Sequence, residues 1–234
     1  WALRHHAVDL GLSINSAGFV PVDELLGKRD FSCLSFDMLQ RIVDNNAKKR
    51  FELVSTSATA DLSVPLSPST SMIRAVQGHS IKVVEDDELL TPILSLEDLR
   101  AQTSSGVLVH GTYRRHLDGI RREGLKSLSR NHIHLAIHLP RRHAHLLAAE
   151  GSAAHESKEA DAEGDGVAEV EVVSGLRGNC EIAIVIDVAR ALAEGVKFFL
   201  AKNRVVLTRG WDEQGVLPPR FFQQILALDD KPLD

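Results

Sequence analysis

Only two cysteines occur in 234 residues, Cys33 and Cys180. They are distant and lack CxxC spacing, which argues against a disulfide framework or a cysteine zinc site, and each reads as a small buried apolar residue. No uninterrupted apolar run approaches the roughly 20 residues that cross a bilayer, and no signal-peptide pattern opens the chain. An intracellular protein, cytoplasmic or nuclear, with no membrane partner is therefore expected. GxGxxG after a strand, GxxxxGKS or GxxxxGKT, and GxSxG are all missing. Any dinucleotide chemistry must then proceed without a Rossmann fingerprint. Internal repeats and coiled-coil heptads are absent as well.

What is present is ordinary globular composition, 44% hydrophobic and 25% charged, enough for one large or two small domains. The net charge of −5 speaks against a nucleic-acid partner until its distribution is read. The stretch "EGSAAHESKEADAEGDGVAEVE", from Glu150 to Glu171, holds eight acidic residues and one lysine, a net of −7, so the rest of the chain carries +2. Rich in Ala, Glu, Gly and Ser and free of aromatics, it reads as a solvated insertion loop.

Short elements fill the first part of the chain. "WALRHHAVDLGL" reads as a helix interrupted by Gly11, and "SAGFVPVDELL" as a turn and a helix start with Asp23 in its first turn. "SFDMLQRIVDNNAKK" places Met38, Ile42 and Val43 at helical spacing behind a Ser35 N-cap. The extended runs "RFELVS" and "MIRAV" follow, separated by a Ser/Thr/Pro-rich loop. Small helices followed by a β-hairpin form a winged-helix arrangement, a helix-turn-helix relative often found on nucleic acids. From about residue 84 the texture changes to short strands, "GVLVHGT", "HIHLAIHL", "EIAIVIDV" and "RVVLT", with brief helices such as "RRHLDGIRREGL" between them.

Within "SRNHIHLA", Arg130, His132 and His134 alternate with Ile133 and Leu135. If the run is extended, one face is oily and the other cationic or titratable. That pattern fits either a wet edge strand or the wall of an anion-binding cleft. The choice depends on whether other cationic residues arrive there. Arg4 and His5 in the first helix, Arg50 opening one wing strand and Arg74 in the other are candidates, since arginine suits bidentate capture of phosphate oxygens. Each alone is an ordinary surface arginine. In "QGHS", "HGT" and "HIH", glycine beside a polar residue at a strand end lets the protein backbone approach a ligand closely, and histidine can hydrogen-bond a ribose hydroxyl or stack on a flat ring. His132, His134 and His138 also resemble metal-ligand spacing, but no carboxylate lies in the run and Arg130 would repel a cation, so no metal is expected.

Taken together, "LRHHA", "KKRFEL", "IRAVQGHS", "VHGT", "SRNHIHLA", "SGLRGNCEIAIVIDV" and "FFLAKNRVVLTRG", in this order, resemble the NAD-dependent tRNA 2′-phosphotransferase family over nearly the whole chain. The resemblance implies an α+β enzyme. Residues 1–83 would form a winged-helix lobe that binds the RNA 2′-phosphate. Residues 84–234 would form an ADP-ribosyltransferase-like lobe that binds NAD as co-substrate, with an acidic insertion at about 140–172. Such enzymes move the internal 2′-phosphate of a spliced tRNA to NAD, giving 2′-OH RNA, ADP-ribose 1″,2″-cyclic phosphate and nicotinamide. By resemblance, Arg4, His5, Arg50 and Arg130 are the catalytic set. Ser80, His110, Gly111, Thr112, His132, His134 and Arg177 are the NAD contacts. Lys48 is an RNA contact, and Arg74 either an RNA contact or a structural residue. A monomer is expected. Two alternatives stand beside this: an ADP-ribosyltransferase that caps nucleic-acid phosphate ends, and a non-catalytic RNA-binding module.

Overall fold

The structure is a computed structural model that describes residues 1–56, 66–103, 105–147, 173–229 and 231–233. The acidic stretch from Glu150 to Glu171, and most of the connection between the two expected wing strands, lie outside the described residues. The chain is an α+β protein whose named strands pair only antiparallel. Among the described residues no helix is long and apolar enough to cross a membrane.

The N-terminal part begins with one turn of π-helix, Ala2–His6, rather than a regular helix. Gly11 then reverses the chain at φ +63°, a left-handed conformation that an L side chain resists. Strand β1 (Val20–Pro21) leads into helix α1 (Val22–Leu26), with Asp23 and Glu24 in its first turn. Helix α2 (Phe36–Asp44) is capped by Ser35, whose hydroxyl accepts from the Met38 amide at 3.2 Å. Its buried side chain is Leu39, not the Met38 and Ile42 of the expected stripe, which are about half exposed. Strands β2 (Phe51–Ser55) and β3 (Ser71–Ala75) pair from Phe51 with Ala75 to Ser55 with Ser71, and β1 joins on the far side of β3.

A short helix α3 (Asp86–Leu89) and strand β4 (Thr91–Ile93) lead into the second part. There follow helix α4 (Leu96–Thr103), strand β5 (Leu108–Thr112), helix α5 (Arg114–Glu123), and strands β6 (Leu125–Lys126) and β7 (Ile133–Leu135). Strand β8 (Ile182–Ile186), helix α6 (Val188–Ala193) and strands β9 (Phe198–Leu200), β10 (Val206–Thr208), β11 (Val216–Leu217) and β12 (Phe222–Ala227) complete the described chain. One sheet runs β4-β9-β10-β7 and another β12-β8-β5. They meet where Val109 and Ala136 exchange two backbone hydrogen bonds of 2.8 Å. This junction sets the HGT segment at the end of β5 beside the HIH segment at β7.

All five residues of β8 are buried, as a strand between two others at the centre of a core must be. A second apolar cluster mixes Leu3, Val20, Leu39 and Ile73 with Phe199, Val205 and Leu207. The first part of the chain therefore packs directly on the underside of the β9–β10 hairpin, and the two parts share apolar burial. Two expectations are corrected here. Arg130 does not begin a strand: it lies in a turn and bend that ends only at Ile133, because the Asn131 amide donates to the His79 carbonyl at 2.9 Å and pulls the chain across. Cys33 is exposed, and only Cys180 is buried; both are free thiols.

Candidate functional site: an arginine cluster beside a histidine-lined cleft

Arg4, Arg50 and Arg130 come together although 126 positions separate the first from the last. Burial first, and then the charges of Arg130 and Arg50, pull the Arg4 guanidinium down to about 10. Its Nε and Nη2 are shielded from solvent and meet no hydrogen-bond acceptor among the described residues. None of the three arginines has a carboxylate within ion-pair distance among the described residues. A guanidinium buried without an acceptor is costly, so this arrangement is one that an anion would stabilise. Arg50 is set by its own backbone: its amide donates to Asn46 Oδ1 at 3.0 Å and its carbonyl accepts from the Val76 amide at 3.0 Å.

The QGHS segment forms the partition between arginines and cleft. Gly78 sits at φ +87°, and a Cβ there would lie 3.4 Å from the Arg4 guanidinium carbon. Ser80 Oγ lies 3.0 Å from His5 Nδ1, and the Ser80 amide donates to the Arg4 carbonyl at 3.0 Å. Ser80 is thus a partner of His5 as much as a candidate NAD contact. Burial first, and then the charges of Arg130 and Arg4, hold His5 below the ordinary histidine value, so its ring is neutral near pH 7. His79 is buried beneath Arg4 and is pushed to about 4 by burial, then by the charge of Arg4.

Beyond this partition lies a cleft of about 370 Å³, lined among others by His110, Gly111, Thr112, Arg130, His132, His134 and Arg177. Six of the seven expected NAD contacts therefore line one cavity, and Arg130 joins that cavity to the arginine cluster. His110 Nδ1 donates to the His134 carbonyl at 3.0 Å, and burial lowers the His110 pKa, so its Nε2 is left as an acceptor. His134 Nε2 faces the Gln77 side-chain amide at 2.6 Å, and burial followed by the Arg130 charge takes His134 down to about 3. Gly111 is required by packing: a Cβ would fall 2.6 Å from Leu176 Cδ1 and 2.7 Å from Cys180 Sγ. A larger cavity of about 490 Å³ lies elsewhere, lined by residues that include Lys82, Asp86, Lys197, Arg209 and Trp211. The expected site residues are not among them.

The two expected RNA contacts are placed differently from the arginine cluster. Lys48 Nζ donates to the Leu176 carbonyl at 3.0 Å and the Val173 carbonyl at 3.4 Å, while the Lys48 carbonyl accepts from Asn203 Nδ2 at 3.0 Å. It ties the two parts of the chain together. Arg74 is bound by Glu52 at 2.7 Å and by the Ala17 carbonyl at 2.9 Å, and covers the Phe19 ring at 4.3 Å. Those bonds commit the guanidinium to partners within the first part of the chain. Gln77 and Asp86 were not singled out from the sequence. Gln77 stands inside the quoted QGHS motif, whereas nothing local marks Asp86, which lies 3.0 Å from His132 Nε2. Among the described residues no group of three or more His, Cys, Asp or Glu could hold a metal ion.

Comparison with known proteins bears on this geometry. A family model described as "RNA 2′-phosphotransferase, Tpt1 / KptA family" matches residues 1–210. The chain is 40% identical over 230 residues to a tRNA 2′-phosphotransferase 1 of Bos taurus, covering 97% of this chain and 72% of that protein. It is 37% identical over 234 residues to the protein of the same name in Danio rerio, covering 100% of this chain and 85% of the relative. With the tRNA 2′-phosphotransferase of Saccharomyces cerevisiae the identity is 30% over 244 residues, covering 100% of this chain and 85% of that protein.

Proposed function

We propose, from the premise that this chain belongs to the RNA 2′-phosphotransferase, Tpt1/KptA, family, that it transfers an internal RNA 2′-phosphate, as at a spliced tRNA junction, to NAD. The products would be 2′-OH RNA, ADP-ribose 1″,2″-cyclic phosphate and nicotinamide. The observation that carries this reading is Arg4: a guanidinium with two shielded donors that meet no acceptor among the described residues, in the field of Arg130 and Arg50. A phosphate dianion supplies the missing acceptors and offsets the mutual repulsion of the three cations.

The cleft fits the co-substrate in size and chemistry. About 370 Å³ suits part of a dinucleotide, and the neutral His110 ring, with Nε2 left as an acceptor, suits a ribose hydroxyl. In the first step the phosphate oxygen, held by Arg4, Arg50 and Arg130, forms a bond to ribose C1″ as the bond to nicotinamide breaks. The arginines lower the repulsion between two anionic substrates and hold the nucleophile within reach. In the second step ribose O2″ bonds to phosphorus, and the bond from phosphorus to RNA O2′ breaks. The guanidinium groups stabilise charge on the crowded phosphorus. His5, neutral and restrained by Ser80, is suited to the proton transfer between the two oxygens. Because the arginines contact phosphate, recognition would rest on the 2′-phosphate and its backbone more than on base sequence.

On this reading residues 1–83 act as a winged-helix lobe for RNA and residues 84–234 as an ADP-ribosyltransferase-like lobe. Action as a monomer is part of this reading. The test is to incubate the protein with a short RNA bearing one internal 2′-phosphate, with and without NAD, and to resolve the products. Conversion to 2′-OH RNA with release of nicotinamide and cyclic-phosphate ADP-ribose, dependent on NAD, is expected. RNA that retains ADP-ribose as the end product would favour the capping reaction instead, and no consumption of NAD would overturn both.

A further inference from the structure

The cleft that begins at Arg130 carries an arginine that no motif marks. Arg115 stands on its wall with Tyr113 and Arg177, and none of the described residues that line the cavity is acidic. Nearby cations are already neutralised: Arg114 holds Asp229 at 2.6 Å, and Lys126, which also lines the cleft, holds Glu123 at 2.7 Å. Arg115 and Arg177 have no carboxylate within ion-pair distance among the described residues. Two such guanidinium groups on one cavity wall repel each other and draw an anion between them.

Tyr113, between β5 and α5, fixes where the two arginines stand. Its ring carries the Arg115 guanidinium, whose carbon lies 4.8 Å from the ring centroid. Arg115 Nε donates to His116 Nε2 at 3.1 Å, which leaves the two terminal nitrogens of its fork as donors. At its far end the Tyr113 hydroxyl donates to Asn179 Oδ1 at 3.0 Å. Asn179 follows Arg177 by two residues, in a turn closed by the Cys180 amide on the Arg177 carbonyl at 3.1 Å. The next amide, of Glu181, bonds the Thr112 carbonyl at 3.0 Å and so returns to the residue before Tyr113. One aromatic side chain therefore links the arginine in the first turn of α5 to the arginine on the loop before β8.

Order along the wall decides which group these arginines meet. Arg130 marks the end of the cleft where the phosphate nucleophile and ribose C1″ must come together. Burial and then the charge of Arg177 lower the Arg130 pKa, so Arg177 is the next cation along, and Tyr113 carries the wall on to Arg115. In a dinucleotide the group that follows that ribose is the pyrophosphate, with two negative charges for two guanidinium groups. We propose that Arg115 and Arg177, spaced by Tyr113, clamp the pyrophosphate of the dinucleotide, with Arg115 as a binding residue and Tyr113 as a positioning residue for both. The inference rests on the proposed use of NAD and adds to it the groups that hold its charged middle.

The test uses the full chain and ADP-ribose, whose pyrophosphate is its only charged group at neutral pH, with affinities measured by calorimetry at about 0.05 M and about 0.5 M salt. Arg115→Gln should lose about fivefold at the lower salt, the scale of one exposed ion pair, and less than about twofold at the higher, where screening has already removed the advantage of the arginine. Tyr113→Leu should show the same salt-sensitive loss, and Tyr113→Phe, which keeps the ring beneath Arg115, a smaller one. Arg115 is exposed, so Arg115→Gln keeps the test informative if Tyr113→Leu does not fold. The proposal is overturned if folded Arg115→Gln or Tyr113→Leu binds ADP-ribose like wild type at low salt, even where RNA affinity falls, or if the loss is the same at both salt concentrations. Failure of wild type to bind ADP-ribose or NAD at all would instead overturn the co-substrate reading, and this inference with it.

Discussion

His5 Nδ1 stands 3.0 Å from the Ser80 hydroxyl, and the amide of Ser80 is bonded to the carbonyl of Arg4, so one residue of the QGHS segment holds two neighbours in the first turn of the chain. A single turn has little intrinsic stability. Arg4 and His5 are therefore oriented by Ser80 rather than by their own helix. Ser80→Ala is expected to lower turnover about tenfold while shifting unfolding free energy by about 1 kcal/mol, the scale of one lost hydrogen bond. Steady-state rates beside urea unfolding check this; a change in stability alone would contradict it.

Gly78 is needed for a different reason. At φ +87° an added Cβ is strained and lies 3.4 Å from the Arg4 guanidinium. Gly78→Ala should cost about 1–2 kcal/mol in stability from the backbone alone. Displacing the guanidinium should in addition reduce turnover by at least tenfold. A variant destabilised to that degree but fully active at low temperature would show that Arg4 does not need its observed position.

Acidification should weaken the fold through His79. Its folded-state pKa of about 4 lies below the unfolded value of 6.5, so below pH 6.5 the unfolded chain binds the proton first. The stability from neutral His79 is full above pH 6.5 and is lost as pH falls toward 4. Between pH 7.5 and 4.5 the loss is about 2.5 kcal/mol, and His134, at about 3, adds to it in the same direction. Urea unfolding of His79→Leu should show a dependence flatter by about that amount. A curve parallel to wild type would contradict the assignment.

Lys48 should behave as a strut. Lys48→Met leaves the Leu176 and Val173 carbonyls without their ammonium donor, a loss of about 1–3 kcal/mol. Because Gly175 and Arg177 on that loop line the cleft, the KM for NAD should rise several-fold. An unchanged melting temperature and KM for NAD, with weaker RNA binding alone, would return Lys48 to the RNA contact expected from the sequence.

Local signals were legible where local forces decide. The Ser35 cap, the capacity of LVHGT to form a strand and the acidic first turn of α1 each follow from a few neighbouring residues. The family resemblance picked out Arg4, Arg50 and Arg130, which do converge, although no spacing in the chain announces it. The alternation in SRNHIHLA survives only from Ile133 to Leu135. Before that, hydrogen bonds from Asn131 to His79 and Ile81 bend the chain, and such partners, 52 and 50 residues away, leave no periodic trace. Lys48 escaped for the same reason, since its carbonyl partners lie 125 and 128 residues on. Asp86 reads as one acid among several in VEDDEL, and only the fold gives it His132 and Arg209 as neighbours.

The central claim is that the Arg4 guanidinium, whose Nε and Nη2 meet no acceptor among the described residues, holds the RNA 2′-phosphate. Its most direct test is equilibrium binding, at one fixed salt concentration and without NAD, of two RNAs identical except for a single internal 2′-phosphate, to wild type and to Arg4→Ala. Wild type should prefer the phosphorylated RNA by at least tenfold, and Arg4→Ala should bind both nearly alike, since an arginine–phosphate contact contributes about 1.5–3 kcal/mol. An Arg4→Ala protein that folds and keeps the full preference would contradict the claim.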